Sequence, residues 1–409
     1  MKNIYTLLLL SFAGICNAQY TWLNKPVFQG TSRYKAEGFV INSKAYIVGG
    51  RTSTSPLTYT NTVWEYEPLS NTQIQKNNFP FAVVQPVTFA VGNKGYVVGG
   101  GNSSNVYQNT NYEYDPANDS WTSKANFPES GVGASFGFSY NGKGYVISGD
   151  RNTSSPAVSV YEYNPTTNQW TQKADFPGTG RKNLQGFVIG NYAYAGLGTV
   201  GNGVLFDDWY RYDIVNNTWS SIASFPGKER CCGMAFELNG KGYAGGGLTH
   251  IANNYYVLSD FYEYDPSGNT WTAVPGLPGA PRQHSAAFVV GGSGYIVGGY
   301  DDDAVSYYNL ISQFTTCGTA TEITVLSDDN NNEFLVYPNP TDGLINIEYS
   351  SGKIFDVSVF DLQGRLIVEK KDQNTSANLS IQGLVSGTYL IRLIDKVSLT
   401  EISKRVVLQ

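Results

Sequence analysis

Four arginines, Arg33, Arg181, Arg230 and Arg282, each stand thirteen residues ahead of a tyrosine (Tyr46, Tyr194, Tyr243 and Tyr295), with Val83 and Val132 in that place before Tyr96 and Tyr145. A guanidinium offers a planar fork of donors that matches a carboxylate or sulfate. Four of them at one repeated depth around an axis would form an anion clamp. The same fork also suits backbone carbonyls and acids of a neighbouring repeat, so the spacing leaves a binding role and a scaffold role open. Glu37 follows Arg33 by four residues and His284 follows Arg282 by two, which makes them the acid–base candidates. The quieter role for His284 is a loop residue with a satisfied ring.

Other chemistry is thinner. His250 and His284 are the only histidines, which excludes a three-histidine metal site and leaves few ways to build a Ser-His-Asp triad. Asp301-Asp302-Asp303 and Asp207-Asp208 lack the spaced oxygen ligands and glycine of a defined calcium loop, so neither a metal nor any other cofactor is expected. Cys231 and Cys232 are adjacent. With Cys317 they make three cysteines once a leader containing Cys16 is lost, an odd number for an oxidising compartment. Cys317 follows a third strand and should emerge on the face opposite Cys231 and Cys232, too far to bridge to them. That leaves an adjacent disulfide or free thiols, a nucleophilic thiol being the third role.

What must position these residues is a repeat. Tyr46, Tyr96, Tyr145, Tyr194, Tyr243 and Tyr295 follow one another at steps of 50, 49, 49, 49 and 52. Phenylalanine stands seven residues before every one of them, at 39, 89, 138, 187, 236 and 288, with a small residue just ahead of it. Turns such as Asn141-Gly142 and Asn239-Gly240 join the two strands. A third strand shows as Trp64-Glu-Tyr66, Tyr112-Glu-Tyr114, Tyr161-Glu-Tyr163, Trp209-Tyr-Arg-Tyr212 and Phe261-Tyr-Glu-Tyr264. A fourth opens at Trp121, Trp170, Trp219 and Trp271, with Gln73 in that place in the first copy. The sixth copy runs out at Ser306–Leu310 without a fourth strand, while Trp22 is unclaimed, so residues 20–23 are expected to complete the last unit beside Tyr307–Leu310. Loops from the second to the third strand vary in length and share one face with the arginines, where binding is usually grafted.

Composition agrees. The 409 residues include 45 Gly, 30 Tyr and 20 Phe with only 15% charged, which favours strands and turns over solvated helices. A net charge of −6 carries no basic footprint for nucleic acid. Lys2, an apolar run from Ile4 to Ile15 and Ala18 read as a secretory leader over residues 1–18, too short to span a bilayer, and no later segment reads as transmembrane. The repeats fill 19–314, a polar linker 315–332, and 333–409 alternates apolar runs with Gly, Asn, Asp and Ser as a small antiparallel sandwich does.

Four strands per unit with Gly-Gly pairs (Gly49-Gly50, Gly99-Gly100, Gly298-Gly299), Tyr-x-Tyr-Asp-Pro turns and a Trp resemble the kelch repeat. That resemblance implies an all-β fold, a six-bladed β-propeller followed by the sandwich. Tyr337-Pro-Asn-Pro340, Asp361-Leu-Gln-Gly-Arg365, Gly387-Thr-Tyr389 and Lys404-Arg405 resemble the C-terminal sorting domain of type IX secretion substrates in Bacteroidetes-type bacteria. This implies engagement of that secretion machinery by residues 333–409, passage through periplasm and outer membrane, and release or display at the cell surface. A six-bladed kelch chain with a leader is similar to the periplasmic N-acetylneuraminate epimerases. The expected function is binding of a carbohydrate or protein ligand, anionic if the arginines act together. The alternative is epimerisation of an acidic sugar, with the arginines on its carboxylate and Glu37 or His284 moving the proton. Galactose oxidases also carry kelch repeats but need two histidines and tyrosines at one copper, plus further domains that this chain lacks, so that resemblance is poor.

Overall fold

A computed structural model of the chain describes residues 20–104 and 106–316, and, between 334 and 408, the strands of a second unit with some neighbouring residues. The leader, Cys317, most of the linker, Pro338-Asn339-Pro340 and Leu362–Arg365 lie outside the described residues. The chain divides into two compact units, Met1–Thr319 and Ala320–Gln409.

Each 49-residue repeat folds into a four-stranded antiparallel blade. In blade one the strands are Glu37–Ile41, Lys44–Val48, Val63–Glu67 and Thr72–Lys76, paired in that order. Phe39 faces Tyr46 across the first pair and stacks on it at 5.3 Å. The same Phe–Tyr pair recurs in every blade. Its ring then leans on the next blade at the residue preceding the aligned tyrosine, which is always Gly or Ala: 45, 95, 144, 193, 242 and 294. At Gly95, Gly144, Gly242 and Gly294 a methyl group would strike that ring. Period-two alternation thus buries one face of each sheet against the following blade and the other against the preceding one, and the hydrophobic clusters are interblade layers rather than one central core.

The fourth-strand tryptophans staple the blades together. The indole N–H of Trp121, Trp170, Trp219 and Trp271 donates to the carbonyls of Asn77, Ala125, Ala174 and Ala223 in the preceding blade, at 3.2, 2.9, 3.0 and 3.1 Å. Gln73 replaces Trp without loss of the staple: its amide donates to Val27 O at 3.0 Å and accepts from Gln29 N at 2.7 Å.

Blade six closes the ring. Ala286–Val290, Ser293–Val297 and Ile311–Thr316 are completed by Tyr20–Lys25 from the other end of the chain, with Trp22 opposite Phe314 and its indole N–H 2.8 Å from Pro275 O. The closing strand is therefore where the sequence puts it, but its partner is not. The expected third strand at Tyr307–Leu310 lies too early. Ser306–Tyr307 instead pairs with Tyr300–Asp301 in a small hairpin, and Phe314 takes the place the tyrosine holds in other blades. Comparable hairpins rise from the same inter-strand loop in blades one, four and five: Arg51–Thr54 with Leu57–Tyr59, Thr199–Gly201 with Val204–Leu205, and Leu248–Ile251 with Asn254–Val257.

The second unit stacks a three-stranded sheet (Phe334–Tyr337, Leu344–Tyr349, Ser376–Ser380) and a four-stranded sheet (Leu366–Asn374, Ile354–Phe360, Gly387–Asp395, Glu401–Leu408) over its own core of Ile345, Ile347, Phe355, Val357, Leu379, Ile391 and Val406.

Candidate functional site

The axis is organised by one residue per blade. Eleven positions before each aligned tyrosine stand Lys35, Gln85, Ala134, Asn183, Cys232 and His284, none of them glycine and all left-handed, with φ of 59, 49, 49, 57, 65 and 51°. Each backbone N–H donates to the carbonyl of the same residue one blade back, Lys35 to His284 at 2.9 Å, then 2.8, 3.1, 2.7, 3.4 and 2.7 Å around the turn. The result is a closed hydrogen-bonded ring of six. A left-handed residue with a Cβ costs about 1–2 kcal/mol, and a net hydrogen bond returns about as much, so the ring holds its side chains in place at small net cost. A second tier lies beside it: Tyr34, Val84, Gly133, Lys182, Cys231 and Gln283 bridge to Arg51, Gly101, Asp150, Thr199, Leu248 and Tyr300 at the start of the variable loops.

Three ring residues from alternate blades meet. Gln85 Nε2 donates to Asn183 Oδ1 at 2.6 Å and lies 3.1 Å from His284 Nε2, while His284 Nδ1 lies 3.1 Å from Gln283 Oε1. Tyr107 donates to Gln85 Oε1 at 3.1 Å, and Gln283 donates to the Asp302 carboxylate. Gln85 presents its NH₂ to Nε2 and Gln283 its oxygen to Nδ1, which suits a proton on Nδ1, whereas Asn183 Oδ1, 3.3 Å from Nε2, suits one there; both nitrogens are met by side chains. Burial, followed by the nearby Lys35 charge, holds its pKa well below the usual histidine range.

Next to the ring is an axial cavity of about 150 Å³, lined by Gln85, Ala134, Asn183, Cys232 and His284 and by the residues that follow them in each blade. Glu37 belongs to that lining, and no described residue bonds its carboxyl. Desolvation pushes its pKa up to about 8. Glu37 and His284 are thus brought to one cavity, but both nitrogens of His284 already have partners.

The four arginines are not part of it, which corrects the anion-clamp expectation. Arg33, Arg181, Arg230 and Arg282 are 0–2% exposed and line neither cavity described here. Arg181 and Arg230 fork onto Asp208 and Asp260, cap the carbonyls of Leu197 and Gly246, and lie over the rings of Phe176 and Phe225. Among the described residues Arg33 has no acid but donates to Gly49 O and Thr62 Oγ1 and lies over Phe28, and Arg282 donates to Ser312 Oγ at 2.7 Å while its Nε and Nη1 are buried without a hydrogen-bond partner. Where valine replaces arginine, the hydroxyls that would have met it, Thr110 Oγ1 and Ser159 Oγ, are buried without partners. In blade three Arg151 comes from the neighbouring loop to cover Phe127 instead, paired with Glu129 at 2.8 Å. Asp208 is thereby spent, Asp301 binds the backbone N–H of Asp303, and no cluster of three metal-ligating acids, histidines or cysteines occurs among the described residues.

Two cations that do line a cavity lie elsewhere. A smaller pocket of about 90 Å³ beside the ring, at the base of the blade-one and blade-two loops, is lined by Lys35, Arg51, Tyr59, Val84, Gln85, Gly101 and Tyr107. Among the described residues neither Lys35 nor Arg51 has an ion-pair partner, whereas nearby Lys182 is neutralised by Asp150 at 3.0 Å. Arg51 donates to Ser53 O at 3.2 Å and lies 5.7 Å over Tyr34, which packs against Tyr300 and Tyr307. Burial lowers the pKa of Lys35. Lys35 and Arg51 escape the sequence reading, yet a signal existed: the ring position, like the second-tier positions that include Arg51, keeps its spacing in the repeat and changes its residue type every time.

The comparisons with known proteins fall on both units. Residues 85–299 match the KLHDC2/KLHL20/DRC7 kelch-repeats domain and residues 335–409 the secretion system C-terminal sorting domain. No curated protein matches in sequence. A solved structure of YjhT resembles the chain with a TM-score of 0.63 at 16% identity, covering 72% of this chain and 97% of that one, a likeness of fold. The sorting domain marks a protein exported by the type IX route to the cell surface or beyond, and no helix among the described residues is long and apolar enough to cross a membrane. With six four-stranded blades closed by the N-terminal strand and a family match over more than half its length, the chain belongs to the kelch-repeat proteins, here carrying a C-terminal secretion sorting domain.

Proposed function

We propose that the exported propeller binds an anionic carbohydrate through the pocket between the blade-one and blade-two loops. One observation carries the reading: Lys35 and Arg51, two cations without acidic partners among the described residues, share a pocket with Tyr59 and Tyr107. Arg51 supplies the planar fork for a carboxylate or sulfate and Lys35 a compact charge, while tyrosine rings give rigid, amphipathic surface for a sugar. Calorimetric titration with a uronic-acid oligosaccharide and its neutral counterpart tests this. The acidic ligand should bind at least tenfold more tightly, and Arg51→Ala should abolish the difference. Equal affinity for the two would overturn the proposal.

Epimerisation of an acidic sugar is the second reading, favoured by Glu37 alone: a carboxyl raised to about 8 can give and take a proton near neutrality. Mutarotation of the bound sugar, followed by NMR, should be lost in Glu37→Gln while binding persists.

A further inference from the structure

We propose that Cys231 and Cys232 form a disulfide between adjacent residues in the exported protein, fixing the fifth member of the axial ring. Neighbouring α-carbons are about 3.8 Å apart across a trans peptide, less than disulfides ordinarily span, and side chains of an extended chain alternate in direction. Such a bond therefore needs a backbone that turns two successive side chains to one side. The left-handed ring supplies that backbone. Cys232 has φ 65°, and the two sulfurs lie 2.6 Å apart, inside the contact distance of unbonded sulfur atoms.

This geometry belongs to the repeat rather than to the cysteines. At the same two positions of blade six, Gln283 Oε1 meets His284 Nδ1 at 3.1 Å, and in blade one the Lys35 ammonium lies 5.3 Å from the centre of the Tyr34 ring. Adjacent side chains are brought together in three blades, and only in blade five are both sulfur.

The compartment completes the argument. A substrate of the type IX route passes the periplasm, where thiols are oxidised by disulfide carriers. Two S–H bonds break and one S–S bond forms. The two electrons and two protons reduce the disulfide of a thiol oxidase to its dithiol, so the exchange balances. Once the blades close, the pair is 4% and 6% exposed beneath Leu205 and Leu248, and a reductant has little access to it. Burial also raises the thiol pKa of Cys232, so in a folded, reduced molecule it would be a poor nucleophile.

Peptide mapping of the full-length protein recovered from the native host tests the assignment without any substitution. Cleavage after Arg230 and Lys241 releases residues 231–241, which hold these two cysteines and no other. After alkylation in denaturant without reductant, this peptide should appear unalkylated and two hydrogens lighter than the dithiol. After reduction it should take up two alkyl groups. Double alkylation without reductant would overturn the proposal, as would recovery of the peptide joined to the Cys317 peptide or to a small thiol.

Discussion

Arg230 shows how the propeller answers a guanidinium removed from water, with two oxygens of Asp260 at 2.6 and 2.8 Å and Phe225 beneath. Arg230→Ala should destabilise the fold by about 3 kcal/mol in urea unfolding and leave ligand affinity unchanged. Lys35→Ala should do the reverse, weakening an acidic ligand about tenfold at near-constant stability. The two axial groups should set opposite pH dependences. Glu37, raised to about 8, binds a proton more readily folded than unfolded, so its contribution to stability falls as pH rises from the ordinary carboxyl range to about 8. The melting temperature of Glu37→Gln should accordingly gain on the native protein between about pH 5 and pH 8. His284, held neutral, costs stability as pH falls below its usual range near 6.5. At this scale the sequence located a repeated arginine and could not say which way it faced, because a fork of donors suits a ligand and a carbonyl equally. For Arg181 and Arg230, Asp208 and Asp260, 27 and 30 residues further on, decided the matter.

Strands and their turns were legible because one selection acts on them six times. Phe39 and its five counterparts must reach across a blade, and each Trp must reach a carbonyl in the previous one. Positions outside that pressure were not. Tyr307-Tyr308 imitates the third-strand signature, and only the register of Phe314 opposite Gly294 shows that the strand starts later. The substitution of Gln73 for Trp likewise looks like a missing part until its amide is seen making two bonds across the blade boundary. Gln73→Ala should cost roughly 1–3 kcal/mol, more than an ordinary exposed glutamine, in denaturant unfolding. Trp22→Ala removes a staple and the rings packed on Phe261 and Phe314, at 5.3 and 4.8 Å. A loss of roughly 2–4 kcal/mol is expected, with unfolding still in one step because the strand seals the whole ring.

The order of parts along the molecule follows from where each one closes. The propeller borrows its last strand from its own N-terminus, and the hydrophobic clusters of the blades draw on residues 20–314 alone. The sorting unit has a separate core from Ile345 to Leu408. Both boundaries are expected from the sequence as breaks in periodicity, where the repeat of tyrosine and phenylalanine begins and ends. The ligand was not readable, because it depends on which side chains a six-fold scaffold happens to present at one ring. Cutting the chain after Asn332 should therefore leave the propeller's melting temperature unchanged, since no blade loses a strand. Export should fail, because the family match that marks the type IX route lies wholly within residues 335–409. In the native host the truncated protein should be recovered folded from the periplasm, with the binding proposed for the Lys35–Arg51 pocket unchanged. Its appearance in the medium at undiminished yield would show that the C-terminal unit is not the export signal.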